Sequence, residues 1–183
     1  MWNPELTYLW SDSHFNHIAI LGYEPTRQTH LGASNVEQMN QKLIENALSA
    51  VPEHATLIHC GDYAMGKDDF YLKFPFKHIL VKGNHDKSHL RMSGQGFDEV
   101  YSWQTFYETY GALQVGDLSF VLTHKPLDYE KFPAMDRHTH NIHGHLHSYS
   151  SPSPRHICVS VEQINFTPIS LQEIVNRVIS TKV

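Results

Sequence analysis

The sequence predicts an α/β protein built on two β-sheets, with mixed or parallel strands first and more antiparallel strands later. Three observations carry this. Apolar runs of strand length end at polar or glycine-containing residues. A stretch of helical period separates the first two runs. The second half then breaks into shorter runs around glycine turns. In chain order, residues 6–10 form the first strand. Residues 34–50 form a helix, with Ser34 as N-cap, Glu37 as its capping-box partner, and Val36, Met39, Leu43, Ala47 and Leu48 at helical spacing. Residues 55–60 form the second strand, and the strand–helix–strand order implies a parallel pair. A shorter helix over 67–74, stopped near Pro75, precedes a third strand at 76–81. From 100 to 123 short β-like runs are separated by Gly111 and by a hairpin turn at Val115-Gly116-Asp117-Leu118, the last run being a strand at 119–123. Further strand-like segments at 155–161 and 166–169 follow a loop over 148–154, and a final helix spans 171–179.

No repeat, low-complexity tract or linker divides the 183 residues, so the chain reads as one domain, 1–183. A chain of that length hides roughly 70% of its unfolded surface. The net charge of −5 argues against a protein that clamps nucleic-acid backbones through a basic surface. Two cysteines, Cys60 and Cys158, cannot build a disulfide framework. The N-terminal residues carry no basic, apolar leader and no run is long enough to span a bilayer, so the expectation is a soluble cytoplasmic protein. Histidine is the unusual residue: there are 15, against 14 Lys and Arg together. Imidazole is the commonest metal ligand and titrates nearest neutral pH, so the excess points to metal or acid–base chemistry.

The residues with that chemistry follow the strands. Ser11-Asp12-Ser13-His14 follows the first, His59-Cys60-Gly61-Asp62 the second, and Gly83-Asn84-His85-Asp86 the third. His124 follows the run at 119–123, and Gly144-His145-Leu146-His147 comes last. In open α/β sheets ligands bind beyond the carboxyl ends of strands. Asp12, His14, Asp62, Asn84, His124, His145 and His147 are candidate ligands suited to first-row divalent metals. They exceed the four ligands of one zinc and divide over two ions if one carboxylate bridges. Two ions about 3.5–4 Å apart form the clamp used to hydrolyse phosphate esters.

Asp12-x-His14, Gly61-Asp62, Gly83-Asn84-His85-Asp86, His124 and Gly144-His145-x-His147 resemble the five signature blocks of the calcineurin-like metallophosphoesterases. Phe15-Asn16-His17, Val159-Ser160-Val161-Glu162 and Pro168-Ile169-Ser170-Leu171 further resemble small bacterial and phage members. The resemblance implies two mixed β-sheets packed as a sandwich and flanked by helices. It implies that Asp12, His14, Asp62 and His147 hold one ion, that Asp62 bridges, and that Asn84, His124 and His145 complete the second. Manganese comes first among the ions, with iron, zinc, nickel, cobalt or magnesium as alternatives. A bridging hydroxide would attack phosphorus while His85 protonates the leaving group. The competing reading is a family member that has become a binding scaffold; such proteins lack a ligand or the catalytic histidine, and here all are present.

The chain departs from the protein phosphatases in one block. Met65 stands where those enzymes have the aspartate that orients the catalytic histidine, which leaves Asp86 as the adjacent candidate for that task. His17 either lines the cleft, touching substrate or supporting a ligand, or is an ordinary loop histidine, and His59 is expected to be a satisfied core residue. His138, His140 and His143 are expected at strand positions. Arg27, His30, Lys125 and Arg137 are candidate phosphate contacts, with an ordinary surface position as the alternative for each. The expected partner is a small phosphate ester, a nucleotide among them. Polymeric nucleic acid gains no electrostatic help from an acidic chain.

Overall fold

A computed structural model describes residues 2–66, 69–132 and 138–181. The strands are β1 (Thr7–Trp10), β2 (Thr56–His59), β3 (Lys77–Val81), β4 (Glu99–Tyr101), β5 (Leu113–Val115), β6 (Leu118–Leu122), β7 (Thr139–His143), β8 (His156–Cys158) and β9 (Ile169–Ser170). They form a five-stranded sheet in the order β4-β3-β2-β1-β9 and a four-stranded sheet in the order β5-β6-β7-β8. In the first, β1 to β4 run parallel and β9 is antiparallel to β1. Apolar residues of both sheets, Leu9, Ile58 and Leu80 on one side and Phe120 and Ile142 on the other, belong to one buried cluster. A bridge between Ser11 and Ser160 ties the end of β1 to the chain beyond β8. Two mixed sheets with helices around them are the predicted class.

The second sheet is less antiparallel than the sequence reading expects. Only the hairpin joining β5 and β6 is antiparallel; β6, β7 and β8 pair in parallel. Parallel neighbours need long connections in place of tight turns, and the connections after β6 and β7 are the segments that carry His124, His145 and His147. The hairpin is as expected, with Gly116 at φ +57° in the first turn position.

The helices are α1 (Ile20–Tyr23), α2 (Thr26–Thr29), α3 (Val36–Ala50), α4 (His89–Ser93), α5 (Trp103–Tyr110) and α6 (Leu171–Ser180). The long helix is capped one residue later than predicted. Asn35 accepts from the Gln38 N–H, while the Ser34 backbone and hydroxyl both bond the Gln38 side chain, so Glu37 has no capping-box partner. Among the described residues of the helix expected over 67–74, residues 69–74 are not helical, and residues 67 and 68 lie outside the described residues. An irregular course lets its aromatics fill the core separately: Phe70 stacks on Phe15 at 4.5 Å and Phe74 on Phe76 at 4.8 Å. Conversely, the β-like run after Val100 contains α5, closed by a Ser102–Thr105 capping box and by Gly111 at φ +69°. Its Trp103, Phe106, Tyr107 and Tyr110 look strand-like by residue type, but their spacing is that of one helical face. The strand expected over 166–169 is reduced to β9, and α6 begins where predicted. No helix of the described residues is long and apolar enough to cross a membrane.

Candidate metal centre

The carboxyl ends of β1, β2, β3, β6 and β7 lead into one region, which gathers the predicted side chains. Asp12, His14 and His147 form one group whose nitrogen and oxygen atoms lie within 4.8 Å of one another, and Asp62, His124 and His145 form a second. His14 stands between the two carboxylates, its Nε2 3.9 Å from Asp12 Oδ1 and 3.8 Å from Asp62 Oδ2. His147 Nε2 is 3.7 Å from Asp12 Oδ1, and His124 Nε2 is 3.2 Å from Asp62 Oδ2 without the alignment of a hydrogen bond. Asn84 lines the cleft next to His124. The His85 ring is half exposed, with Nε2 3.9 Å from Asp62 Oδ2.

The backbone is bent to achieve this. Asp12, His14, Asp62, His145 and His147 all have positive φ, between 48° and 70°. Non-glycine residues adopt that region at a cost and collect at functional sites. Glycines make the close approaches possible. A Cβ on Gly83 would strike the Asp62 carboxylate, and one on Gly144 would strike Ser11 and Asp12.

Each carboxylate has one committed and one free oxygen. Asp12 Oδ2 accepts from the His145 N–H and the Ser160 hydroxyl, both at 2.9 Å. Asp62 Oδ1 accepts from the His85 N–H at 2.9 Å. The imidazoles are held from behind: His124 Nδ1 donates to the Cys60 carbonyl at 2.9 Å, and His147 Nδ1 to Glu162 at 3.3 Å. His14 Nδ1 lies 3.1 Å from His17 Nδ1, so His17 supports a ligand side chain. These bonds fix which ring nitrogen faces the centre. Asp12 Oδ1, His14 Nε2 and His124 Nε2 are buried without hydrogen-bond partners among the described residues. Buried polar groups are rarely left so. Their convergence, and the His/Asp chemistry of the set, fit divalent cations.

The charges within the group oppose one another. Burial raises the Asp12 carboxyl, an effect that His124 and His147 partly offset. Burial also raises Asp62, but His124 and the His85 N–H hold it well below the usual range. Burial and then Arg27 bring His14 down to about 3. For His124 burial is outweighed by Asp62 and Asp12, which push it up to about 9.

Several expectations change here. Asp86 does not orient His85: its buried carboxylate accepts from the Asp62, Tyr63 and Gly83 N–H groups at 2.7–2.9 Å, locking the second and third loops together. Arg27 is not a phosphate contact. It is fully buried, bonding Glu162 at 2.6 Å and the Asp12 and Ser13 carbonyls at 2.6 and 2.9 Å. Glu162 is the supporting residue that residue-by-residue reasoning missed; its only signal was its place in the Val-Ser-Val-Glu run. His30 lines a separate surface cavity with Lys42 and Asn165. Lys125 does line the cleft beside His124, and Arg137 lies outside the described residues. His59 is a satisfied core histidine, accepting from the Gly61 N–H and bonding the Ser13 hydroxyl. His140 and His143 lie in β7, and His138 directly before it. Cys60 and Cys158 are both free thiols.

A model of the calcineurin-like phosphoesterase superfamily domain matches residues 8–161. The chain is 31% identical to the uncharacterized protein MJ1445 of Methanocaldococcus jannaschii, over 96% of this chain and 93% of that protein. Among solved structures it is similar to the protein of unknown function AQ665 from Aquifex aeolicus, with a TM-score of 0.67, 24% identity, and coverage of 93% of this chain and 98% of that one. The last likeness concerns the fold alone.

Proposed function

The chain belongs to the calcineurin-like phosphoesterase superfamily, and from this premise we propose that it hydrolyses small phosphate esters with two divalent metal ions, manganese foremost. The observation that carries the reading is the pair of three-residue groups, Asp12/His14/His147 and Asp62/His124/His145, with their unpartnered atoms turned toward one another. In this reading Asp12, His14 and His147 hold one ion, Asn84, His124 and His145 the other, and Asp62 is shared. Ions held there would supply Lewis acidity toward the phosphoryl oxygens and a nucleophile at neutral pH.

The chain's own residues do the rest. The Cys60 carbonyl and Glu162 keep a proton on Nδ1 of His124 and His147, presenting Nε2 to the centre. The Ser160 hydroxyl and His145 N–H occupy one Asp12 oxygen and leave the other for the cation. The His85 ring, held at the cleft by its own N–H bond to Asp62, donates the proton that the leaving oxygen needs. Two free thiols accord with a cytoplasmic, reducing location.

The test is elemental analysis paired with turnover of p-nitrophenyl phosphate and bis-p-nitrophenyl phosphate under each candidate metal. The expected result is metal-dependent turnover of one or both esters, abolished by chelation and restored by added ion. Metal-loaded protein that hydrolyses neither ester would overturn the reading.

A further inference from the structure

Building on the phosphoesterase reading, we propose that the cleft beside Asn84 and His124 receives the organic part of the substrate, and that this part carries a planar aromatic ring of nucleobase size. The cleft encloses about 320 Å³. Its lining includes Asn84 and His124 of the candidate metal centre, with Gly83, which packs against Asp62. Its walls are apolar: Trp103 at the start of α5, Phe132, Pro126 and Leu127. Trp103 and Phe132 meet edge to face with ring centroids 5.5 Å apart. Both remain partly accessible, whereas Trp10, Phe15, Phe76, Phe106 and Phe120 are fully buried. An accessible aromatic pair lining a concavity is a stacking platform, which a flat ring fills better than an aliphatic chain.

Charge specifies the other end of the ligand. Lys82 and Lys125 line the same cleft and form no ion pair among the described residues. Asp128, the one carboxylate among the described lining residues, is engaged by Lys131 at 2.9 Å. Two uncommitted cations next to the candidate metal centre suit a phosphate group. A second hollow, beside His17, is larger at about 550 Å³; its described lining residues include Glu37 and hold no lysine or arginine, while residues 67 and 68, which follow its Gly66, lie outside the described residues. The cleft therefore accepts phosphate and ring in line, as a nucleoside monophosphate presents them.

The experiment separates this inference from the hydrolase reading. AMP and ribose 5-phosphate are titrated by calorimetry into metal-stripped and manganese-loaded protein, and phosphate release from AMP is measured separately. The expected result is tighter binding of AMP than of ribose 5-phosphate, on the order of tenfold, the scale of one base stacked on an aromatic face. Trp103→Leu should collapse that ratio toward one, and Trp103→Phe should preserve most of it. Lys125→Gln should weaken both ligands by a similar factor and leave the ratio standing. Equal affinity of the unmodified protein for the two ligands overturns the inference, and so does a ratio that Trp103→Leu leaves unchanged. Failure to release phosphate from any ester counts against the hydrolase reading alone, because the deciding binding ratio is read on the metal-stripped protein, where no turnover is expected.

Discussion

The two halves of the candidate centre are braced by opposite means. Behind Asp12, His14 and His147 stands buried charge: Arg27, fully buried, bonds Glu162, which in turn holds His147, while Arg27 also bonds the carbonyls of Asp12 and Ser13. Behind Asp62, His124 and His145 stands main chain: Asp86 gathers three backbone N–H groups, the Cys60 carbonyl holds His124, and glycines allow two loops to touch. A buried ion pair needs its remaining donors and acceptors satisfied; carbonyls take the Arg27 donors, while Glu162 Oε2 is buried without a hydrogen-bond partner among the described residues. The first half is thus locked into the core. The second borders the cleft with Lys82, Lys125 and Trp103. The ligands of the two halves are equally buried, so what differs is their support: one half is held by a buried ion pair, and the other borders the cleft.

The largest effect is expected from removing the proposed proton donor, His85. His85→Ala should cut turnover of an ester with a poor leaving group by roughly 10²–10⁴-fold while metal content stays the same; unchanged turnover would remove His85 from the mechanism. Next comes the brace of the inward half. Arg27→Met leaves Glu162 buried without its cation and should cost about 3–5 kcal/mol of stability, measured by urea unfolding. Glu162→Gln is milder and more discriminating. It should weaken one ion by about 10–100-fold, visible as two separated steps in a metal titration, and equal weakening of both ions would erase the contrast drawn between the halves.

The smallest effect comes from β3, the strand that leads into Asn84 and His85. His78 on β3 is fully buried among Phe74, Phe97 and Tyr63, and burial lowers it to about 3. The unfolded chain binds that proton below about pH 6.5 and the folded one does not, so stability falls as pH drops below 6.5. By pH 5 the loss from His78 is on the order of 2 kcal/mol. His78→Phe should narrow the fall in melting temperature between pH 7 and pH 5, and an identical fall would exclude His78 as its source.

Every predicted ligand lies at a strand end, and the strand ends were legible because short β-branched runs closed by Gly, Asp or Asn have few other readings. The supporting residues were harder to see. Arg27 and Glu162 are 135 positions apart and join only because β1 and the chain beyond β8 meet in space. Asp86 looked like a partner for His85 by adjacency, but the loop turns its carboxylate back onto the N–H groups of Asp62 and Tyr63. The aromatic residues of α5 hid a helix behind strand-like composition, and that helix supplies Trp103 to the cleft wall. Parallel pairing in the second sheet was equally hidden, since it depends on where long loops return.

The central claim is that Asp62 stands between two cations. Diffraction from manganese-loaded crystals at a wavelength giving anomalous signal tests it directly. Two adjacent peaks per chain are expected, with Asp62 touching both, Asp12, His14 and His147 on one side, and Asn84, His124 and His145 on the other. A single peak, or two peaks with Asn84 and His145 on different ions, would contradict it.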